Sequence, residues 1–309
     1  MKLFNIQNRN FTQIKNNPFK VEREIQDIVE KNVNVIFNVE FVKSELRVQN
    51  FRFDTLCFDN ENNSFVIIEY KKGKSYSVID QGYTYLSILL NNKSDFILEY
   101  NETMNKNLRR DEVDWSQTKI IFISPKFSDF QKNSINFKNV PFILWEISRF
   151  ENDTIGLTKL ETNSKEDINS LGSTNNSDVI KKVSKEVITY DEDYHLFKSK
   201  KRPQHVLDTY KDLKEKIMDL GDDVEIVIKK QTIGFKNNRP FVDLIIYDKG
   251  IGVVLNMKKG KLDDYKNLCE DISEKGHWGN GDYRIWTSEV NDMDYILHLI
   301  RDSYKYDNQ

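Results

Sequence analysis

Apolar positions along this chain fall into two kinds of pattern. Val21, Ile25, Ile28, Val29 and Val33 recur at helical spacing, which predicts an amphipathic helix over 20–32. Short runs rich in β-branched and aromatic residues follow at 39–44, 51–58 and 65–71 and read as strands. A second helix is expected over 78–91, then strands at 95–100, 119–125 and 141–149, with a short helix near 127–134 between the last two. The order α-β-β-β-α-β, extended by later strands, predicts a mixed sheet flanked by helices.

The pattern breaks at 160–189. This stretch is rich in Ser, Asn and charge, has no aromatic residue before Tyr190, and reads as a polar linker between residues 1–159 and 190–309. Beyond it a basic run, Lys-Ser-Lys-Lys-Arg (198–202), leads to a helix expected at 204–219. Strands follow near 223–230, 240–247 and 251–258, a helix over 262–273, a strand near 283–287 and a last helix over 291–305. This half reads as a smaller α+β domain of uncertain function. No internal repeat is apparent.

A length of 309 residues suits two domains, and 38% apolar residues suit a globular fold. With 46 basic and 49 acidic side chains the net charge is −3, so any nucleic-acid role must rest on a local site. The two cysteines, Cys57 and Cys269, form no Cys-x-x-Cys pair, which argues against a disulfide framework or a structural zinc site. His195, His205 and His298 share no ligand spacing. No signal-like or membrane-spanning apolar run is present, so a cytoplasmic protein is expected.

Candidate chemistry lies in Val-Ile-Ile-Glu-Tyr-Lys-Lys-Gly-Lys, residues 66–74. Alternation along a strand turns Val66, Ile68 and Tyr70 one way and Ile67, Glu69 and Lys71 the other. A carboxylate and an ammonium then end a strand apolar enough to be buried on both faces. If the preceding turn is centred between Glu61 and Asn62, paired residues sum to 123 and Asp54 faces Glu69. Directly opposed Cβ atoms lie about 4.5–5.5 Å apart. Two carboxylates at that distance repel unless a proton or cation sits between them, and a hard cation such as Mg²⁺ suits. Glu22 borders the apolar face of the first helix, while Gln81 and Tyr85 share one face of the second.

These residues resemble the PD-(D/E)xK, or restriction-endonuclease-like, nuclease superfamily. Its signature is a helix acid, an Asp on the second core strand, (D/E)-x-K on the third and a Gln on the next helix, matched by Glu22, Asp54, Glu69 with Lys71, and Gln81. Val-Glu-Arg-Glu-Ile-Gln-Asp-Ile-Val-Glu-Lys-Asn (21–32) and Phe-Arg-Phe-Asp-Thr-Leu (51–56) look like the opening helix and Asp strand of archaeal-type mismatch endonucleases. Phe51 replaces the usual Gly and Tyr70 the usual Leu. The resemblance covers 19–100 well and 101–150 loosely. It implies a Mg²⁺- or Mn²⁺-dependent endonuclease that hydrolyses phosphodiester bonds of DNA. Asp54, Glu69, Lys71, Glu22 and Gln81 would be catalytic, and Asp54, Glu69 and Glu22 metal ligands. The implied partner is DNA, with RNA and a homodimer left open and no membrane. A catalytically inactive nucleic-acid-binding or partner-recruiting module on the same fold is the alternative. The C-terminal half resembles an uncharacterised domain family found behind such nuclease-like domains.

Each signal has a plainer reading. Asp54, Glu69 and Lys71 also fit a structural ion pair with a spare acid. Glu22 also suits a helix dipole. Lys71, Lys72 and Lys74 fit a solvated strand end. The turn Gly-His-Trp-Gly-Asn-Gly-Asp-Tyr (276–283), with His277, Trp278 and Asp282, also reads as a tight turn built on Asn280-Gly281.

Overall fold

Two stretches of chain build separate cores, residues 1–189 (unit 1) and 190–309 (unit 2). The computed structural model describes residues 2–73, 77–137, 140–160, 177–199, 202–276, 279–288 and 292–306. Lys74, His277 and Trp278, and residues 161–176 of the expected linker, lie outside the described residues.

Unit 1 begins with a hairpin, β1 (Leu3–Gln7) and β2 (Asn10–Ile14), that leaves Phe4, Ile6 and Phe11 exposed. Helices α1 (Glu22–Glu30) and α2 (Val33–Phe37) follow, with Ile25, Val29 and Val33 fully buried. The predicted strands are β3 (Glu40–Val48), β4 (Phe51–Asp59) and β5 (Ser64–Tyr70), paired antiparallel. Helix α3 (Val78–Asn91) starts where the Ser77 side chain accepts from the Asp80 N–H. Next come α4 (Lys93–Met104), β6 (Lys119–Ser124), α5 (Asp129–Ser134), β7 (Phe142–Arg149), β8 (Ile155–Leu160) and α6 (Ser177–Glu186). The sheet order is β3-β4-β5-β6-β7-β8; β5–β6 and β6–β7 run parallel and the other pairs antiparallel. This is the expected α/β architecture with a mixed sheet.

The core strand β5 is buried from end to end. Ile67 joins a cluster with Leu86 and Leu89 of α3, while Val66, Ile68 and Tyr70 join Ile25 and Val29 of α1 on the other face. Paired residues on β4 and β5 sum to 123, as the turn position predicts.

Two expectations in unit 1 need correction. Residues 95–100 belong to helix α4, not a strand. Phe96 and Tyr100, one helical turn apart, are buried while Leu98 between them is 57% exposed, so the burial period is 3.6, not 2. The described end of the polar stretch, 177–186, is helix α6, whose Val183, with Val187 beyond, is buried in the unit 1 core.

Unit 2 contains α7 (Glu192–Phe197), α8 (Gln204–Met218), β9 (Glu225–Ile228), β10 (Ile233–Lys236), β11 (Pro240–Ile246), β12 (Ile251–Leu255), β13 (Glu270–Asp271), β14 (Tyr283–Trp286) and α9 (Met293–Lys305). Its sheet order is β13-β14-β12-β11-β10-β9, all antiparallel. Residues 262–273 form no helix. Asp264 accepts from the Cys269 N–H at 2.7 Å and from the Tyr295 hydroxyl at 2.9 Å, and this side-chain capture of a backbone donor competes with helical bonding.

Candidate active site

The β4–β5 ladder ends at Thr55–Ile68, and the next step in register brings Asp54 and Glu69 together at the end of the meander. Their surroundings are asymmetric. Asp54 is half-buried and its Oδ2 accepts from the Tyr70 N–H at 3.1 Å. Glu69 is only 3% exposed. Its Oε1 accepts from Lys71 Nζ at 3.0 Å and Gln81 Nε2 at 2.8 Å, and lies 3.5 Å from the Tyr85 hydroxyl. Its Oε2 is buried with no hydrogen-bond partner among the described residues.

That arrangement makes Glu69 hard to ionise. Burial, and then the neighbouring Asp54 carboxylate, raise it to about 7, against the pull of Lys71 and Gln81. Burial also raises Asp54, although the Tyr70 N–H and the Lys71 charge pull the other way. A buried carboxylate oxygen with nothing donating to it is costly, so the pair has a standing demand for positive charge.

The elements explain why the side chains meet. Gln81 and Tyr85 are one turn apart on α3, and Gln81 Nε2 also donates to the Tyr85 hydroxyl at 3.0 Å. The Tyr85 hydroxyl donates to the Arg52 carbonyl at 3.0 Å, tying α3 to β4. A cleft of about 400 Å³ lies beside this group, lined by Lys71, Ser77, Asp80 and Gln81.

Glu22 sits elsewhere. It is exposed at the start of α1, and its Oε1 accepts from the Lys72 N–H at 2.6 Å. It thus fastens the outgoing end of β5. Among the described residues, no group of three or more His, Cys, Asp and Glu side chains is arranged to hold a metal ion. The Asp54–Glu69 pair, with opposed carboxyls and one buried oxygen that has no hydrogen-bond partner among the described residues, has the chemistry to suit a small hard cation.

One supporting residue escaped the sequence reading. Gln26 of α1 is buried, and its Nε2 lies 2.8 Å from Glu30 Oε1, 3.2 Å from Ser44 Oγ and 3.0 Å from the Asp54 carbonyl. Glu30 in turn accepts from the Thr55 hydroxyl at 2.6 Å. The available signal was the i, i+4, i+8 row Glu22, Gln26, Glu30 along the border of the apolar stripe.

Fold and site together define a two-unit α/β protein with a paired-carboxylate centre in unit 1. Residues 196–307, within unit 2, match the domain of unknown function DUF5655. The chain belongs to the family of an uncharacterised protein of Haemophilus influenzae, which is 41% identical over 305 residues, 99% of this chain and 100% of that one. Among solved structures, partial likeness is found to a repair endonuclease from Pyrococcus abyssi, at 15% identity and a TM-score of 0.25 over 41% of this chain and 48% of that one. EndoMS in its apo form gives 16% identity and 0.28, over 41% and 46%. SfsA of Pyrococcus furiosus in complex with Ca²⁺ gives 15% and 0.25, over 46% and 63%. This chain spans less than two thirds of each of those structures. No helix among the described residues is long and apolar enough to cross a membrane.

Proposed function

We propose that unit 1 is a Mg²⁺- or Mn²⁺-dependent endonuclease that hydrolyses phosphodiester bonds of DNA. The observation that carries this reading is Glu69: a buried carboxyl at the end of a core strand, raised to about 7 beside Asp54, with one oxygen left without a partner. The order Glu22, Asp54, Glu69-x-Lys71, Gln81, resembling the PD-(D/E)xK signature, supports it further.

In this reading Asp54 and Glu69 would hold the cation, and its chemistry there would be to supply positive charge for the phosphodiester and to acidify water. Lys71, held by Glu69 on the wall of the cleft, offers its ammonium to a phosphate oxygen or to the attacking water. Gln81 occupies Glu69 Oε1 with a neutral donor and so orients the carboxyl with Oε2 free to ligate. Glu22 fixes the strand end through the Lys72 backbone and acts as a positioning residue. DNA as substrate is part of the same proposal, in which Glu22, engaged by the Lys72 N–H, is not a ligand of the cation.

Melting of the wild type and of Asp54→Asn, each with Mg²⁺ and with chelator, tests the pair. Mg²⁺ should raise the wild-type melting temperature by several degrees and leave Asp54→Asn unmoved, because a ligand stabilises only the state that binds it. Without metal, Asp54→Asn should be at least as stable as wild type, since a like-charge neighbour of Glu69 is gone while Asn can still accept from the Tyr70 N–H. A destabilised variant together with a wild type indifferent to Mg²⁺ contradicts the proposal.

A further inference from the structure

Unit 2 repeats a pattern already met in unit 1. Phe-Asp-Thr-Leu (53–56) on β4 precedes Ile-Ile-Glu-Tyr-Lys-Lys-Gly-Lys (67–74) along β5; Val-Asp-Leu-Ile (242–245) on β11 precedes Val-Leu-Asn-Met-Lys-Lys-Gly-Lys (254–261) along β12. Helices α1 and α2 in unit 1, and α8 in unit 2, lead into an antiparallel meander. The acid lies on the penultimate strand of the meander, and the lysine-rich run leaves the last. The likeness stops at that meander. β14 lies beside β12 antiparallel, where β6 lies beside β5 parallel.

The two strand ends differ in the side chain that aligns with Glu69, which is Asn256, and in register, since Asp54 faces Glu69 whereas Asp243 faces Val254. The β11–β12 register pairs Asp243 with Val254, so Asn256, two residues on, shares the face of Asp243. Asn256 Nδ2 donates to Asp243 Oδ2 at 3.1 Å. The Asn280 N–H reaches the same oxygen at 3.3 Å, and the Thr232 hydroxyl reaches Oδ1 at 3.2 Å. Asp243 is 0% exposed and Asn256 7%. The turn that delivers Asn280 lies tight against β12: a Cβ on Gly281 would stand 1.7 Å from the Leu255 carbonyl oxygen, and Gly279 adopts φ +97°. One atom of this buried cluster, Asn256 Oδ1, has no partner among the described residues.

We infer that unit 2 holds a second, silent copy of the carboxyl pair of unit 1, in which the Asn256 amide donates to Asp243 where unit 1 would place a divalent cation. The inference rests on the reading of Asp54 and Glu69 as a cation-binding pair. Two carboxyls need a proton or a cation between them; a carboxyl and an amide need neither, because the amide brings its own donors. The Gly-rich turn then closes the strand end over Asp243, and the chain carries one cation site rather than two. Returning a carboxyl to position 256 re-creates the demand for positive charge.

Titration of the full-length protein with Mn²⁺, following free and bound ion, tests this in four forms: wild type, Asp54→Asn, the near-isosteric Asn256→Asp, and the two changes combined. The silent copy predicts one bound Mn²⁺, none, two and one. Melting curves of the combined variant give a second reading: Mn²⁺ should raise its melting temperature by several degrees while leaving Asp54→Asn unchanged. A wild type that binds no Mn²⁺ overturns the reading of unit 1. If wild type binds Mn²⁺ but Asn256→Asp gains neither binding nor a melting shift, the copy alone is overturned. It is equally overturned if Asp54→Asn retains a Mn²⁺ that Asp243→Asn removes.

Discussion

Glu69 concentrates the energetics of the site. Its carboxyl titrates near 7 in the folded chain, against 4.5 for an ordinary glutamate, because burial and Asp54 oppose its charge. The folded state therefore binds this proton more tightly than the unfolded state. Stability contributed by the protonated form is fully present below about pH 4.5, is lost as pH rises towards 7, and then levels off. The span is on the order of 3 kcal/mol. In the absence of metal, urea melts at pH 5 and pH 8 should show this loss in wild type and a much smaller one in Glu69→Gln. Equal pH dependence in both proteins would contradict the assignment. The same proton competes with a cation, so Mg²⁺ should bind more tightly as pH rises through 7. Much of this site was legible before the fold was known. Strand alternation put Glu69 and Lys71 on one face, and the turn position put Asp54 opposite. The unpartnered Oε2 was not legible, because it depends on where Gln81 and Lys71 direct their donors, and both reach Oε1.

At the scale of elements, helix α3 decides whether Gln81 reaches Glu69. It lies close against β7: a Cβ on Gly82 would come within 2.5 Å of the buried Phe142 ring, which also meets the rings of Tyr83 and Phe122. Gly82→Ala should therefore destabilise the fold by about 1–3 kcal/mol despite the better helix propensity of Ala. It should also lower the site's cation affinity, because α3 must shift with Gln81 upon it. Chemical denaturation and a Mg²⁺ titration check the two effects; an unchanged or stabilised variant would show that α3 has slack. Elements whose burial follows one clear period, such as α1, β5 and α3, match their expected ranges within a few residues. The failures had identifiable causes. In Asp-Phe-Ile-Leu-Glu-Tyr (95–100) apolar residues fit both periods, and only the exposure of Leu98 separates helix from strand. Residues 262–273 have helical composition, but Asp264 diverts a backbone donor. In 177–186 the charge hides a stripe ending in Val183, which gains its value only once α3 is there to cover it.

At the scale of the whole chain, the cores of the two units share no residue among the described ones. We propose that each folds alone, with residues 1–189 carrying the cation response. Calorimetry of residues 1–189 and 190–309 made separately should give a cooperative transition for each, and Mg²⁺ should move only the first; a fragment without a transition contradicts this. The boundary falls at the end of the stretch that sequence composition marks as polar, but its described part packs with unit 1, a matter of tertiary contact that composition does not encode. The internal likeness of the two Lys-Lys-Gly-Lys strands was equally hidden, because Asn256 breaks the acid pattern and only the shared meander makes the comparison natural. The central claim remains phosphodiester hydrolysis at Asp54, Glu69 and Lys71. Its most direct test is incubation of wild type and Lys71→Ala with end-labelled single-stranded, duplex and branched DNA, in Mg²⁺ or Mn²⁺ and in chelator. The account predicts metal-dependent internal cleavage of at least one substrate by wild type, slowed at least a hundredfold (on the order of 3 kcal/mol) in Lys71→Ala, with DNA binding little changed. Binding without cleavage of any substrate under any metal would contradict it.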